Sequence, residues 1–242
     1  MNAAATGLRV LTQQRRDPRS LALIVAVPCV LEGLLKAMFS GQPAIFQEIG
    51  APLLGLFPFI SMFLITSVTM LRERTSGTLE RLMTMPIRKI DLLGGYGLAF
   101  GLLAAVQAVV VSAVAFGLLG LSVAGPGWAV VLLAIGNAVL GMSLGLLVSA
   151  FATSEFQAVQ FMPAVVLPQL LLCGLFVARD DMADWLRVIS AFLPLTYAYD
   201  ALKRVSDGGP YGWRFALDVS VTVGATLVAL ALGAVTLRRR TP

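Results

Sequence analysis

The chain has 242 residues, of which 58% are hydrophobic and only 13% are charged, and its formal net charge is +5. Soluble domains carry about 25% charged residues, so this composition excludes an ordinary soluble domain. No basic stretch carries interleaved aromatics, which disfavours nucleic-acid binding. In a membrane protein, basic residues instead mark cytoplasmic loops.

Long apolar segments, taken in chain order, predict six membrane-spanning helices. Residues 92–154 contain no Asp, Glu, Lys or Arg, whereas one bilayer span needs only about 20 apolar residues. This run therefore holds two spans, joined by a turn at 125–127, which reads Gly-Pro-Gly. The predicted spans are 20–39, 51–71, 92–123, 128–151, 156–178 and 214–237.

The first 19 residues are polar and basic, with a weak apolar face formed by Leu8, Val10 and Leu11. They form either a short helix at the inner membrane surface or a disordered tail, and both alternatives stay open. The predicted organisation is an N-terminal interfacial segment, 1–19, a six-span transmembrane domain, 20–237, and a basic cytoplasmic tail, 238–242.

Two opposite charges, Glu32 and Lys36, fall inside span 1. Their i, i+4 spacing and order favour an ion pair on a helix. Charges within a membrane span are candidates for a functional role, here in a substrate path. The alternative is that Lys36, near the outer end of the span, extends its amine to the membrane surface.

The charged segment 72–86, between spans 2 and 3, predicts a short amphipathic helix on the cytoplasmic side. Thr78 can begin this helix, and Glu80 then falls in its first turn, where negative charge is favourable. The alternative is a solvated linker that follows the membrane surface. The charged residues are Arg72, Glu73, Arg74, Glu80 and Arg81; Leu79, Leu82 and Met83 line one face, and Pro86 ends the helix.

Span 5 contains two prolines, Pro163 and Pro168. Proline in a membrane helix frees backbone carbonyls and kinks the helix, which suits a gate; a static kink is the alternative. The segment 180–206 that follows span 5 predicts two short helices on the outer side. The first is amphipathic, and the second carries Tyr197 and Tyr199, aromatics typical of the headgroup zone.

The distribution of Lys and Arg predicts the topology. With an even number of spans, both termini lie on one side of the membrane. The segments on that side hold twelve of the 18 Lys and Arg residues, and those on the opposite side hold four. This bias places both termini in the cytoplasm.

The sequence lacks the residues of several kinds of active site. It contains no histidine, and its two cysteines fall in different spans, so we expect neither His-based catalysis nor a metal site. None of its three lysines follows a glycine, so it has no phosphate-binding loop of the Gly-Lys type. We therefore expect no catalytic residues and no bound cofactor.

The segment after span 2 resembles the signature of type-2 ABC exporter permeases, the family that includes daunorubicin- and multidrug-exporter-like membrane subunits. A charged cluster, 72–74, precedes 77–82, which reads Gly-Thr-Leu-Glu-Arg-Leu, and Pro86 follows. Residues 174–176, Gly-Leu-Phe, and 193–202, which begin Leu-Pro-Leu-Thr-Tyr, continue the resemblance along the chain. The chain departs from the family pattern at Thr75 and Ser76 and at the start of span 3.

The resemblance implies an all-α membrane protein with six transmembrane helices, an N-terminal interfacial helix, a cytoplasmic coupling helix at 72–86 and short re-entrant outer helices. It implies a permease that exports a drug or lipid-like substrate across the cell membrane. ATP and magnesium would be bound by a separate cytoplasmic ATP-binding cassette subunit, and a second permease, identical or paralogous, would complete the dimer. The implied contacts to the ATPase are Arg72, Glu73, Arg74, Gly77, Thr78, Leu79, Glu80, Arg81, Leu82 and Met83, and the implied substrate path includes Glu32, Lys36, Pro163 and Pro168.

Two other classes of protein remain as alternatives. A membrane-embedded enzyme, such as a lipid-modifying one, would need acid–base groups at the inner face, and the sequence offers no carboxylate cluster there. A membrane scaffold without a transport role is the second alternative.

Overall fold

The computed structural model describes residues 3–77 and 89–236, and the regular elements in these ranges are all helices. A single turn of 3-10 helix, Arg179–Asp181, interrupts the long connection after the fifth span. The α-helices are α1 Ala3–Arg15, α2 Pro18–Met38, α3 Pro43–Thr75, α4 Lys89–Gly117, α5 Gly127–Val148, α6 Glu155–Leu172, α7 Asp184–Ala191, α8 Pro194–Ser206 and α9 Trp213–Thr236.

Six of these helices, α2, α3, α4, α5, α6 and α9, are long and apolar enough to cross a membrane. The predicted all-α fold with six spans is therefore confirmed. Two parts of the topology stay predictions: the termini in the cytoplasm, and residues 1–19 at the membrane surface.

The helix α3 is longer than the predicted second span at both ends. It begins at Pro43, because proline is favourable in the first turn of a helix. Its 33 residues extend about 50 Å, well beyond the ~30 Å hydrocarbon layer. The prediction that 72–86 forms one separate helix was wrong at its start, since residues 72–75 are the last turn of α3.

Glycine backbone geometry shortens the predicted spans 3 and 5. The helix α4 ends at Gly117 and not near residue 123, and Gly120 beyond it has a φ of 68°. The helix α6 ends at Leu172 and not near residue 178, and Gly174 follows with a φ of 104°. Side chains other than glycine rarely adopt these angles, so the chain turns there.

The helix α3 lies at the centre of the bundle and packs against α2, α4, α5, α6 and α8. Its closest neighbour is α5, where Gly141 and Gly145 face the carbonyl oxygens of Phe59 and Phe63. A Cβ at either glycine would overlap those oxygens. Small residues spaced four apart let two membrane helices approach backbone to backbone.

The N-terminal helix α1 packs along α4, so the helical alternative for this segment is the one observed. The two backbones approach closely where a Cβ on Gly7 would lie 3.2 Å from the carbonyl oxygen of Gly95. Val10 is buried in this contact, whereas Leu8 is exposed. The apolar face predicted from the sequence is therefore only partly used within the chain.

The two short helices predicted between spans 5 and 6 are present as α7 and α8. The helix α8 packs against α3, α5, α6 and α9, with Leu195 and Leu202 fully buried. Three ion pairs join α8 to the preceding loop, to α3 and to α9. They are Arg179 with Asp200, Lys203 with Glu48, and Arg204 with Asp218.

We expect Gly141→Ala to lower the thermal stability of the protein in detergent, because the added methyl group must push α5 away from α3. Gly136→Ala on the same helix is the control, since a Cβ there has no atom within 4 Å. That variant should be neutral or stabilising by about 0.4–1 kcal/mol. Circular dichroism melting curves measure both, and equal melting temperatures for the two variants would contradict the close α3–α5 contact.

Candidate functional site

The described chain is interrupted between α3 and α4, two helices that share a cluster of polar side chains. The end of α3 is capped by Ser76, whose backbone N–H donates to the carbonyl of Arg72 at 2.9 Å, and Gly77 follows with a φ of 71°. The chain then leaves the described residues and returns at Lys89, where α4 begins. Gly77 follows Glu73 by four residues, and Lys89 precedes Tyr96 by seven.

Glu73, in the last turn of α3, is the centre of this polar cluster, and only 4% of its surface is exposed. Its carboxylate accepts a hydrogen bond from Gln13 Nε2 at 2.9 Å and pairs with Arg9 Nη2 at 3.5 Å. The same Arg9 nitrogen donates to the hydroxyl of Tyr96 at 2.8 Å, and Tyr96 is fully buried in α4. We call these four residues the Glu73 cluster; it joins α1, α3 and α4.

Electrostatics make it costly to move one residue of the Glu73 cluster away from the others. A buried carboxylate is costly unless it is paired and hydrogen-bonded. Removing one partner of such a pair leaves the other charge unpaired and costs about 3–5 kcal/mol. Moving one of the three helices away from the other two would therefore be costly, which favours their moving together.

A second ion pair joins the end of α3 to the beginning of α6. Arg72 donates to both carboxylate oxygens of Glu155, from Nε at 2.8 Å and from Nη2 at 2.9 Å. Exposed pairs contribute only about 0–1 kcal/mol, but a bidentate geometry fixes relative orientation. This pair therefore orients α6 relative to α3 more than it stabilises the fold.

A cavity of about 640 Å³ lies beside the Glu73 cluster, between α1, α3 and α6. Its apolar lining includes Leu64, Ile65 and Val68 of α3, and its polar lining comes from α1, the residue Asp17 and the end of α3. Val159 of α6 also lines it, and Pro163, four residues later, has no N–H to donate to the Val159 carbonyl. The polar lining residues are Gln13, Gln14, Asp17, Thr69, Arg72, Glu73 and Ser76.

The predicted contacts to an ATPase are only partly described. Thr78, Leu79, Glu80, Arg81, Leu82 and Met83 lie outside the described residues, and their role stays a prediction. The prediction that Glu73 faces a partner was wrong, since its carboxylate is buried against Arg9 and Gln13. Arg72 is largely exposed and bound to Glu155, and Arg74 Nε is buried without a hydrogen bond to any described residue.

The predicted pair between Glu32 and Lys36 is not formed. The Lys36 amine lies 4.9 Å from the ring centroid of Phe46, a cation–π contact that replaces the ion pair. Glu32 is fully buried, and neither of its oxygens has a hydrogen-bond partner among the described residues. Pro163 and Pro168 lie inside α6, as predicted from the sequence.

Four residues of this site were missed by the sequence reasoning: Arg9, Gln13, Tyr96 and Glu155. A usable signal existed for Glu73, because Phe63, Thr66, Met70 and Glu73 continue one buried helical stripe beyond the predicted end of span 2. Arg9 and Gln13 have the i, i+4 spacing of one helix face, but only the fold shows what that face contacts.

Comparison with known proteins identifies the class of membrane protein to which this chain belongs. Residues 4–205 match the family described as ABC-2 type transporter, so the chain belongs to that family and is a membrane subunit of the ATP-binding cassette transporter class. It is 29% identical over 150 residues to ABC transporter G family member 20 of Dictyostelium discoideum. It is 26% identical over 156 residues to the probable multidrug ABC transporter permease YbhR of Escherichia coli K12.

These alignments cover 62% and 63% of the chain, but only 20% of the Dictyostelium protein and 42% of YbhR. The chain therefore aligns with less than half the length of either relative.

We expect Glu73→Ala to destabilise the protein strongly, because it leaves the Arg9 guanidinium unpaired beside buried Tyr96. Arg9 is 31% exposed and keeps its hydrogen bond to Tyr96, so the loss should be about 1–3 kcal/mol, seen as a clear fall in melting temperature. Glu48→Ala, which removes an exposed carboxylate of the same helix from its pair with Lys203, should cost no more than about 1 kcal/mol. Similar small losses for both variants would exclude a structural role of the Glu73 cluster.

Proposed function

We propose that the chain is the permease subunit of an ATP-driven exporter that moves an amphipathic, drug-like or lipid-like substrate out of the cell. The observation that carries this proposal is the Glu73 cluster, which joins α1 to α3 and α4, the two helices on either side of the segment 78–88. Such a segment can pass the movement of a cytoplasmic ATPase to several helices at once. ATP and magnesium would be bound by that partner and not by this chain.

The sequence of the segment supports a role as the coupling element. Glu80 and Arg81 offer opposite charges, and Leu79, Leu82 and Met83 offer an apolar face for a cleft in the partner. Because Glu73 is used inside the permease, the ion pairs to the partner would come from residues further along the segment, together with Arg74. The cytoplasmic location of this end of the bundle, and hence of both termini, belongs to the same proposal.

Movement of the segment would reach the bundle by two routes. The Glu73 cluster connects it to α1 and α4 through Arg9 and Tyr96. The Arg72–Glu155 pair connects it to α6, whose two prolines, Pro163 and Pro168, weaken its helical hydrogen bonding. A displacement at the ATPase would therefore change the position of α6, which can act as the gate.

The cavity beside the Glu73 cluster supports an amphipathic substrate. Its volume of about 640 Å³ is within the ~300–1,000 Å³ range of small-molecule sites. Apolar side chains of α3 and polar side chains of α1 and of the end of α3 both line it, so a molecule with an apolar and a polar part matches this lining. We assign this cavity to the inner end of the substrate path.

The exposed apolar faces of α2 and α6 support a dimer of permeases. On α2, Leu23, Val30 and Leu34 are exposed, and on α6, Phe156 and Leu171 are exposed. A second permease packed on these faces would place the cavity and α6 of each subunit near the shared interface. The bilayer covers the remaining apolar surface.

Co-purification tests the partnership directly. The tagged permease should retain an ATP-binding cassette protein expressed from the same cells, and Glu80→Arg should abolish this retention while the permease stays folded. Asp184→Arg, which reverses an exposed carboxylate on α7 far along the chain, should retain the partner fully. Absence of any ATP-binding partner from the unmodified permease, or equal retention by both variants, would refute the proposal.

Charge exchange tests the route through α6. Arg72→Glu and Glu155→Arg should each reduce substrate export by the reconstituted complex about fivefold, as expected for the loss of about 1 kcal/mol. The double exchange should restore export, because it recreates the pair. Measured in proteoliposomes with the partner bound, an unrestored double variant would contradict this route without affecting the co-purification result.

A further inference from the structure

The membrane-spanning helix α2 contains a proline, Pro28, well inside its 21 residues. In a regular helix the N–H of residue 28 would donate to the carbonyl of Ile24, but proline has no N–H, and its ring clashes with that carbonyl. Ile24 is only 2% exposed, so its carbonyl is left without a helical partner on a buried face of the helix. A polar group in such a place is costly unless another donor reaches it.

The side chain of Gln107, in α4, supplies the missing donor. Its Nε2 donates to the Ile24 carbonyl at 2.8 Å, although the two residues are 83 positions apart along the chain. The same nitrogen also donates to the hydroxyl of Ser61 in α3. A backbone carbonyl can only accept a hydrogen bond, so the amide nitrogen, and not the amide oxygen, must face Ile24. Gln107 therefore joins three helices where α2 lacks its own hydrogen bond.

Packing alone does not account for a glutamine at position 107. The side chain is fully buried, and its Oε1 has no hydrogen-bond partner among the described residues. Burying an amide with one atom unsatisfied is costly, so the two hydrogen bonds that Gln107 donates must offset that cost. Gln169 in α6 is different, because its Nε2 donates at 3.1 Å to the Val165 carbonyl of its own helix.

Within this chain, α2 is held to the bundle along one narrow stripe. Of residues 21–38, three are buried, namely Ile24, Pro28 and Glu32, which recur at every fourth position. Glu32 has no hydrogen-bond partner among the described residues, so it does not fix the helix through a polar contact. Few contacts therefore oppose a bend of α2, and the hydrogen bond from Gln107 lies next to the turn that proline weakens.

The two parts of α2 on either side of Pro28 have different attachments. The part before it follows α1 after a connection of two residues, and α1 belongs to the Glu73 cluster. The part after it contacts α3, where the Lys36 amine lies 4.9 Å from the ring centroid of Phe46. A bend at Pro28 would therefore let the first part move with α1 while the second part stays on α3.

We propose that Gln107 is a latch on a hinge in α2. While its amide is bound to the Ile24 carbonyl, α2 stays fixed at Pro28, and when the amide leaves this carbonyl, α2 bends there. Sharp bends in helices occur mostly at proline, where the hydrogen-bond ladder is already interrupted. Ser61 remains as a partner for the released amide, so the latch can close again. The hinge belongs to this chain alone and does not rest on the proposed export function.

A double-mutant cycle tests the latch in the full chain purified in detergent. Gln107→Leu removes the donor, and Pro28→Ala restores the N–H that the Ile24 carbonyl lacks. We expect Gln107→Leu to lower the melting temperature by about 2–4 °C more when Pro28 is present than in the Pro28→Ala background, because the restored N–H then replaces Gln107. Equal changes in the two backgrounds would overturn the proposal.

Gln169→Leu is the matched control, since it removes a buried amide that bonds to its own helix. It should change the melting temperature equally in both backgrounds, and a dependence on Pro28 as large as that of Gln107→Leu would refute a specific latch. Should Gln107→Leu fail to fold, Gln107→Asn takes its place in the same cycle. This variant keeps the amide but withdraws it from Ile24 by one methylene, and the same difference is expected.

Hydrogen exchange tests the hinge itself, with the full chain in lipid nanodiscs. Either substitution of Gln107 should accelerate amide exchange in residues 25–35 about tenfold, because the unlatched helix opens at Pro28. Adding Pro28→Ala should return the rate to that of the unmodified chain, and exchange in α5 should not change in any variant. Unchanged exchange in residues 25–35, or an acceleration that Pro28→Ala does not reverse, would overturn the proposal.

Discussion

The pairing of Glu73 with Arg9 is the interaction on which the rest of the site depends. A carboxylate that is 4% exposed can remain charged only with a partner, and its partners come from the N-terminal helix. Because Arg9 also bonds to Tyr96, one buried charge fixes three helices. These three helices form a fixed base, and the segment 78–88 connects two of them, α3 and α4.

The packing of the bundle makes this base rigid. The helix α3 carries Glu73 at one end and contacts α5 through glycines that allow no added side-chain atom. Tight backbone contacts of this kind tend to shift as units and not to deform continuously. The Arg72–Glu155 pair is different, because it is exposed and costs little to break. It also connects α3 to α6, a helix that contains two prolines. The molecule thus combines a rigid base with one adjustable connection.

Hydropathy and charge were sufficient to predict the six spans, since a bilayer requires long apolar helices whatever their packing. The helix ends were less predictable, because Gly174 and the continuation of α3 through Arg72 depend on backbone angles and tertiary contacts. The partners of Glu73 could not be predicted, since Arg9 is 64 residues away along the chain. The prediction of a Glu32–Lys36 ion pair was wrong for a related reason. Helical spacing alone does not show that the Lys36 amine contacts the ring of Phe46 instead.

The central claim is that Arg9 and Glu73 act as one unit in passing ATPase movement to the membrane helices. A double-mutant cycle tests it, with Arg9→Gln, Glu73→Gln and the double variant reconstituted with the ATP-binding partner. The measured quantity is substrate exported per ATP hydrolysed. We predict that each single variant lowers this ratio and that the double variant lowers it no further, because the interaction is already lost. Losses that multiply in the double variant would contradict the account.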